Sequence, residues 1–141
     1  MKFDKVKVGK VISDIEKYSI DLEGIKLKGQ KSIGKMEFYS ASMLIFSIVN
    51  SYIDLGNEII SSNSLGYPST YSEMFDLLQQ KNIITERESK AFKRLVNIRN
   101  GIAHRYFNIT QTDVMNAISD LKKVKKLTSI FKQSLVDSKD L

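Results

Sequence analysis

Apolar residues at helical spacing are the feature that most limits what this chain can fold into. Over residues 4–25 they recur every three or four positions, and similar stripes return in several later segments. This period puts one apolar stripe on the side of an α-helix, whereas a half-buried strand needs strict alternation. No alternating stretch of useful length is present, and Pro68 is the single proline. The sequence therefore predicts an all-α protein.

Four long or medium helices and one short helix are predicted. Periodicity places the first, second and last at about 4–25, 35–61 and 112–136. The second is apolar on nearly every side, which indicates a central helix or a helix with a second interface to cover. Because the connections are short, neighbouring helices should be antiparallel. We expect one domain, residues 1–141, folded as an up-and-down antiparallel four-helix bundle plus a short extra helix.

Two capping-box patterns mark the starts of the remaining helices. Thr70 with Glu73 opens the short helix, YSEMFDLLQQK, and Thr85 with Glu88 opens the longer one that follows. In such a box the threonine hydroxyl and the acidic side chain satisfy free backbone N–H groups at the helix start.

The residue types present exclude several kinds of site. The chain has no cysteine, so it forms neither disulfides nor thiolate metal sites. With one histidine, a zinc site of His or Cys ligands would need a partner chain. No phosphate-binding glycine loop is found, and neither a metal nor a cofactor is expected. The net charge of +6 favours a polyanionic partner such as RNA.

The expected location is the cytoplasm. The apolar residues near the N-terminus are spaced rather than continuous, unlike those of a signal peptide. The longest apolar-rich stretch, ASMLIFSIVNSYIDLGNEII, is interrupted by Ser, Asn, Asp and Glu. These interruptions predict a buried helix and no membrane span.

The stretch RNGIAHRY, residues 99–106, contains the single histidine and the clearest candidate site. At about 100° per residue on a helix, Arg99 and Tyr106 share a face, and His104 lies about 140° from Arg99. These three side chains do not converge from one regular helix. We therefore expect that the helix ends or distorts near residues 101–104, or that a second copy of the chain completes the site.

The chemistry of this stretch favours a phosphate on RNA. Arginine offers a planar fork for phosphate oxygens, and histidine exchanges protons near neutral pH. Asn100 adds an amide that orients the other two. An RNA 2′-hydroxyl can attack its own phosphate with a proton acceptor and a cation, and no metal is needed. The competing interpretation is a cap or surface residue, the more common use of a lone histidine near a helix end.

Basic and aromatic residues elsewhere are weaker candidates for RNA binding. Three basic residues near the motif in sequence would make it electropositive: Lys93, Arg94 and Arg105. The lysine run at 122–126 is more typical of a solvated helix face. Three tyrosines can stack bases, although packing in the core and loops is their more common use: Tyr52, Tyr67 and Tyr71.

RNGIAHRY resembles the R-x-x-x-x-H-x-Y motif of the HEPN superfamily, and of its HepT-like toxins in particular. Three stretches follow that family's pattern in order: SIVNSYIDLGNEII, GYPSTYSEMFDLLQQKNII and FKRLVNIRNGIAHRYFNIT. The similarity covers about residues 36–120. It departs where Asn50 occupies a position that is usually acidic, while Asp54 stands at its usual place. FNIT also lacks the acidic residue that often follows the motif.

The resemblance implies an all-α HEPN bundle that forms a two-fold homodimer, with both motifs in a cleft at or near the interface. It implies a metal-independent endoribonuclease toxin in which Arg99 and His104 carry the cleavage and Asn100 assists. It also implies an antitoxin, an MNT-type nucleotidyltransferase that transfers AMP from ATP to Tyr106 and blocks the site.

Two other functions fit the same residues. The chain would be a non-catalytic nucleotide- or partner-binding subunit of a two-component nucleotidyltransferase if Arg99 served binding without RNA turnover. It would be a structural dimer module if Arg99 and His104 served only the interface.

Overall fold

Six α-helices and no strand make up the part of the chain that the structure describes, residues 1–25, 34–105 and 108–139. The structure is a computed structural model. The helices are α1 (Lys5–Glu23), α2 (Lys35–Ser62), α3 (Tyr71–Gln80), α4 (Glu86–Arg105), α5 (Gln111–Lys123) and α6 (Lys125–Lys139). The all-α prediction is confirmed, and the first four helices lie where the periodicity and the capping boxes put them.

The prediction of one continuous last helix is wrong, because two helices meet at Val124. Val124 caps the C-terminus of α5, and its N–H bonds back to the Leu121 carbonyl at 3.4 Å. The Leu127 N–H bonds to the Val124 carbonyl at 3.3 Å. These three-residue steps tighten the turn there. As a result Leu121, Val124 and Leu127, each three residues from the next, are all buried in the core. In a regular helix Leu127 would turn away from the apolar stripe of the other residues.

The predicted capping box forms in full at α4 and in half at α3, where the Glu73 carboxylate accepts from the Ser69 N–H instead of the Thr70 N–H. The hydroxyl of Thr70 accepts a hydrogen bond from the Glu73 N–H at 3.1 Å at the start of α3. Thr85 and Glu88 bond reciprocally at 3.1 Å and 2.9 Å before α4. A third box, which the sequence analysis missed, joins Thr110 to Asp113 and starts α5.

Contacts show that α1 and α2 are antiparallel, and so are α4 and α5, where Arg94 also bonds to Asp120 far from the connecting loop. The Asp4 N–H, just before α1, donates to the Glu58 carboxylate near the end of α2 at 3.1 Å. Near the end of α4, Gly101 faces Ile109, just before α5. A Cβ on this glycine would stand 2.7 Å from the Ile109 Cδ1 atom. The up-and-down arrangement predicted from the short connections is confirmed.

The core is centred on α2, which contacts α1, α3, α4 and α5. By length and composition α2 would pass as a membrane span, but half of its most apolar stretch is buried inside the bundle. Its Tyr52 packs edge-on against Phe92 of α4, which in turn stacks on Phe75 of α3 at 4.3 Å between ring centroids. Burial raises the pKa of Tyr52 to about 12, against a smaller lowering by its hydrogen bond with Thr128. Tyr52 is therefore a core residue.

Candidate active site

The end of α4 carries the residues that the motif singled out. The helix continues without a break through residues 101–104 and ends at Arg105, one residue after His104. Of the expected alternatives, the helix end is therefore found and the distortion is not. Tyr106 and the side chain of Arg105 lie outside the described residues.

A cavity of about 520 Å³ lies between α2, the start of α3 and the end of α4. Its lining residues are Asn57, Pro68, Ser69, Thr70, Tyr71, Ser72, Met74, Val96, Arg99, Asn100 and His104. Three of the predicted site residues, Arg99, Asn100 and His104, are thus together in one chain. The loop before α3 lines the same cavity as these residues. Completion of the site by a second copy of the chain stays a prediction.

Neutral groups hold the guanidinium of Arg99 in this cavity. Its Nε donates to the Asn50 side-chain oxygen at 2.8 Å, and its Nη1 donates to the Asn100 side-chain oxygen at 3.0 Å. Its Cζ lies 5.3 Å from the ring centroid of Phe46 and 5.5 Å from that of Tyr71, within the range of cation–π attraction. No ion pair to a carboxylate forms among the described residues, so the positive charge stays available to an anion.

Asn50, which stands at the usually acidic position, changes the charge around Arg99. An amide oxygen accepts the Arg99 hydrogen bond as a carboxylate would, but it carries no charge. An aspartate at the same place would pair with the guanidinium and compete with an incoming phosphate. Asn50 therefore orients Arg99 without neutralising it.

The imidazole of His104 is exposed and, among the described residues, makes no hydrogen bond or ion pair. Among these residues, His104 neither caps α4 nor forms a structural ion pair. A side chain free in this way can accept a proton from a bound molecule.

Two of the basic residues predicted to bind RNA, Lys93 and Arg94, lie outside the described cavity lining. Lys93 forms an ion pair with Asp76 of α3, and Arg94 forms a bidentate pair with Asp120 of α5 at 2.9 Å and 3.0 Å. Both cations tie α4 to its neighbours. Their contribution to RNA binding, like that of Arg105, stays a prediction.

Sequence reasoning missed Phe46 and Asn57, and it named Asn50 only as a departure from the family pattern. Phe46, Asn50 and Asn57 lie four and seven residues apart on α2, a spacing that puts them on one helix face and that was readable in advance. Tyr71 was named as a candidate for base stacking, but its contact with Arg99 had no comparable signal, because that contact arises only through the packing of α3 on α4. Tyr67, expected to pack, is fully exposed.

The described cavity offers a metal ion few of the ligands it prefers. Among its described lining residues there is no Asp, Glu or Cys. Within residues 1–25, 34–105 and 108–139, no three residues of metal-ligating type come together. The described groups instead suit an anion, with one arginine, one histidine and several amides and hydroxyls.

Comparison with models of protein families shows the family of this chain. The model for the Ribonuclease HepT-like family matches residues 9–132. The chain belongs to this family. The match covers nearly all of the described bundle, including α2, α4 and the whole cavity, so the site just described is the site of a HepT-like chain.

This HepT-like chain is similar in sequence to an mRNA nuclease and in fold to proteins of solved toxin–antitoxin structures. It is 29% identical over 93 residues to the mRNA nuclease HepT of Shewanella oneidensis. The aligned residues cover 64% of this chain and 70% of that protein. The solved structure of the cytosolic protein YutE from Bacillus subtilis matches with a TM-score of 0.74 at 15% identity, over 96% of this chain and 90% of that one. A mutant of the toxin–antitoxin MntA–HpeT matches with a TM-score of 0.79 at 22% identity, over 90% and 98%. These structures share the all-α HEPN fold.

Proposed function

We propose that this chain is a metal-independent endoribonuclease, the toxin of a HepT/MNT toxin–antitoxin pair. The observation that carries the proposal is that Arg99, held by neutral groups, lines one cavity with His104, which makes no hydrogen bond or ion pair to any described residue. Membership in a ribonuclease family and the likeness to an mRNA nuclease support it.

In the proposed reaction the 2′-hydroxyl of RNA attacks the adjacent phosphorus. His104 removes the 2′ proton as the O2′–P bond forms and the P–O5′ bond breaks. The leaving O5′ takes up a proton from water, and His104 then gives its proton back to the solvent. Arg99 stabilises the charge that builds on the phosphorane oxygens, and the amide of Asn100 keeps the guanidinium in place. The products are a 2′,3′-cyclic phosphate and a free 5′-hydroxyl. Arg99 supplies the cation that a metal would otherwise provide.

A homodimer is part of the proposal, and the exposed face of α2 supports it. Met36, Tyr39 and Met43 lie three and four residues apart and are 75%, 51% and 58% exposed. The same face continues to Phe46 and Asn50, which contact Arg99. A second copy covering this apolar face would lie directly beside the cavity and make a cleft of the two sites.

Control by an MNT-type nucleotidyltransferase completes the proposal. Tyr106 follows His104 by two residues, just past the end of α4. An AMP group on its hydroxyl would bring a negatively charged phosphate and a bulky nucleoside close to the cavity. The likeness to MntA-containing toxin–antitoxin structures supports such a partner. A cytoplasmic location follows from an RNA substrate of this kind and agrees with the cytosolic relative.

The test is RNA cleavage in EDTA by protein whose intact mass shows no adduct, each AMP adding about 329 Da. We expect cyclic-phosphate products from the wild type and a loss of about 10²- to 10⁴-fold on His104→Ala. Arg99→Lys should lose activity too, because lysine keeps the charge but not the planar fork. Arg87→Ala, an exposed arginine of α4 outside the cavity, is the matched control and should stay active.

If unmodified protein leaves RNA intact, the nuclease proposal is wrong. Nucleotide or partner binding that weakens on Arg99→Ala, without turnover, would then support a non-catalytic subunit. Loss of dimerisation alone on Arg99→Ala and His104→Ala would support a structural module.

A further inference from the structure

The cavity has a second wall that the cleavage chemistry leaves unused. Arg99 and His104 come from α4, but the opposite lining comes from the loop at 68–72 and from Asn57 of α2. This second wall combines an aromatic ring, an amide, hydroxyls and apolar surface. A phosphate alone needs none of the ring, the amide or the apolar surface.

Tyr71 is the aromatic part of the second wall. It is the first residue of α3, and the Thr70 cap fixes where that helix starts. Its ring lies 5.5 Å from the Arg99 Cζ and is 39% exposed, so it contacts the guanidinium while part of it faces open space. Single-stranded RNA is commonly bound by stacking a base on such a ring beside a cation.

Asn57 is the amide part of the second wall. It is exposed, lines the cavity and makes no hydrogen bond to the described residues. It follows Asn50 by seven residues and therefore points from the same face of α2. A free amide offers both a donor and an acceptor, the combination that reads the edge of a base.

We infer that the second wall, Asn57 with the loop at 68–72, binds the base of a nucleotide beside the scissile phosphate. The base stacks on Tyr71 and its edge bonds to Asn57, while the phosphate lies at Arg99 and His104. A volume of about 520 Å³ is within the range of about 300–1,000 Å³ for sites that enclose a small organic ligand. This inference rests on the proposed function, and it makes Asn57 a residue that sets base preference.

The test compares AMP, GMP, CMP and UMP with ribose 5-phosphate in NMR titrations of the unmodified, ¹⁵N-labelled full chain. Base stacking is worth about 1–3 kcal/mol, so at least one nucleotide should bind about 5- to 100-fold tighter than the sugar phosphate. Ring-current shifts should appear on the amides of residues 69–72. Asn57→Ala should weaken the preferred nucleotide about 3- to 10-fold, the worth of one hydrogen bond, and leave ribose 5-phosphate unchanged.

Asn116→Ala, an exposed asparagine of α5 outside the cavity, is the matched control and should behave as the wild type. Alanine is the better helix former, so both variants should fold. Tyr71→Leu, which keeps apolar bulk but not the ring, should also lose the preference for nucleotides.

Equal affinity for all five probes, or no binding at millimolar concentration, would overturn the inference. So would a nucleotide preference that survives both Asn57→Ala and Tyr71→Leu. If the preference depends on these residues but RNA is never cleaved in EDTA, the base site stands and the proposed nuclease function falls.

Discussion

The guanidinium of Arg99 is positioned by two amide oxygens and two aromatic rings, with no carboxylate among them. Hydrogen bonds fix its orientation, and the rings attract the cation without cancelling its charge. An arginine that binds a phosphate needs both a fixed orientation and an uncancelled positive charge. At the scale of single residues, Asn50 is the side chain that keeps these two properties compatible.

Asn50→Asp should therefore fold but lose activity. A carboxylate at hydrogen-bond distance would pair with the guanidinium of Arg99 and weaken its attraction for phosphate, which should cost about 3- to 10-fold in kcat/KM. The loss should appear mainly in KM and shrink with added salt. Steady-state cleavage of a short RNA at two salt concentrations measures it.

Asn50→Ala separates charge from geometry. It removes the hydrogen-bond acceptor of Arg99 but adds no negative charge, so its loss should be smaller and less dependent on salt. Equal losses for Asn50→Ala and Asn50→Asp would show that the electrostatic explanation is wrong.

The α2–α3 pair depends on a close approach at Gly56. A Cβ there would stand 2.8 Å from the Cε and 3.0 Å from the Sδ of Met74, a fully buried residue that also lines the cavity. Gly56 thus lets α3 lie near enough to bring Tyr71 to the site.

Gly56→Ala should destabilise the protein by about 1 kcal/mol, because overpacking of about 1–3 kcal/mol exceeds a gain of about 1 kcal/mol in helix propensity. Gly9→Ala is the matched control, since a Cβ there meets nothing within 4 Å in α1. It should stabilise by about 0.5–1 kcal/mol. Urea unfolding of both variants measures these effects, and a Gly56→Ala protein as stable as Gly9→Ala would contradict the packing argument.

The α4–α5 pair is tied by the buried carboxylate of Asp120. Burial by itself raises the pKa of this group, but hydrogen bonds and attraction from Arg94 and Lys123 outweigh burial and hold the pKa below its usual value. A carboxyl whose pKa is lower in the folded state stabilises the fold above its unfolded pKa of about 4. That stability is lost as the pH falls through the folded pKa.

Asp120→Asn should lower the free energy of unfolding by about 1–3 kcal/mol at pH 7, because charged hydrogen bonds from Arg94 and Lys123 are weakened. Near pH 3 the difference from the wild type should shrink as the carboxyl becomes protonated. Urea unfolding at both pH values measures this, with Asp21→Asn, on the exposed side of α1, as the control. A difference that is the same at both pH values would contradict the assigned cause.

For the whole molecule, the proposed homodimer would cover the apolar face of Met36, Tyr39 and Met43. With a second copy as the occupant, Met43→Lys should convert the dimer into a monomer, because the buried lysines would be charged and unpaired. Val6→Lys is the matched control, since Val6 is 85% exposed on α1, away from this face. Sedimentation velocity over a range of concentrations measures the mass, and an unchanged dimer for Met43→Lys would place the interface elsewhere.

Local patterns determined much of this protein from sequence alone. Helical periodicity gave α1 and α2, and hydroxyl–carboxylate pairs three residues apart gave the starts of α3 and α4. The Arg99–His104 spacing indicated the site and the family. All of these depend on residues within about one or two turns of one another, where backbone geometry fixes the relation between side chains.

The tertiary structure decided what distant segments do together. It breaks the last predicted helix at Val124, so that Leu127 turns into the core. It also places the Tyr71 ring near the guanidinium of Arg99 and Asn57 in the lining of the same cavity. No helical period encodes these meetings, because they depend on how closely and at what register one helix packs on another. The sequence alone therefore located Arg99 and His104 on one helix, and the packing of α2 and α3 against that helix made the cavity that both side chains line.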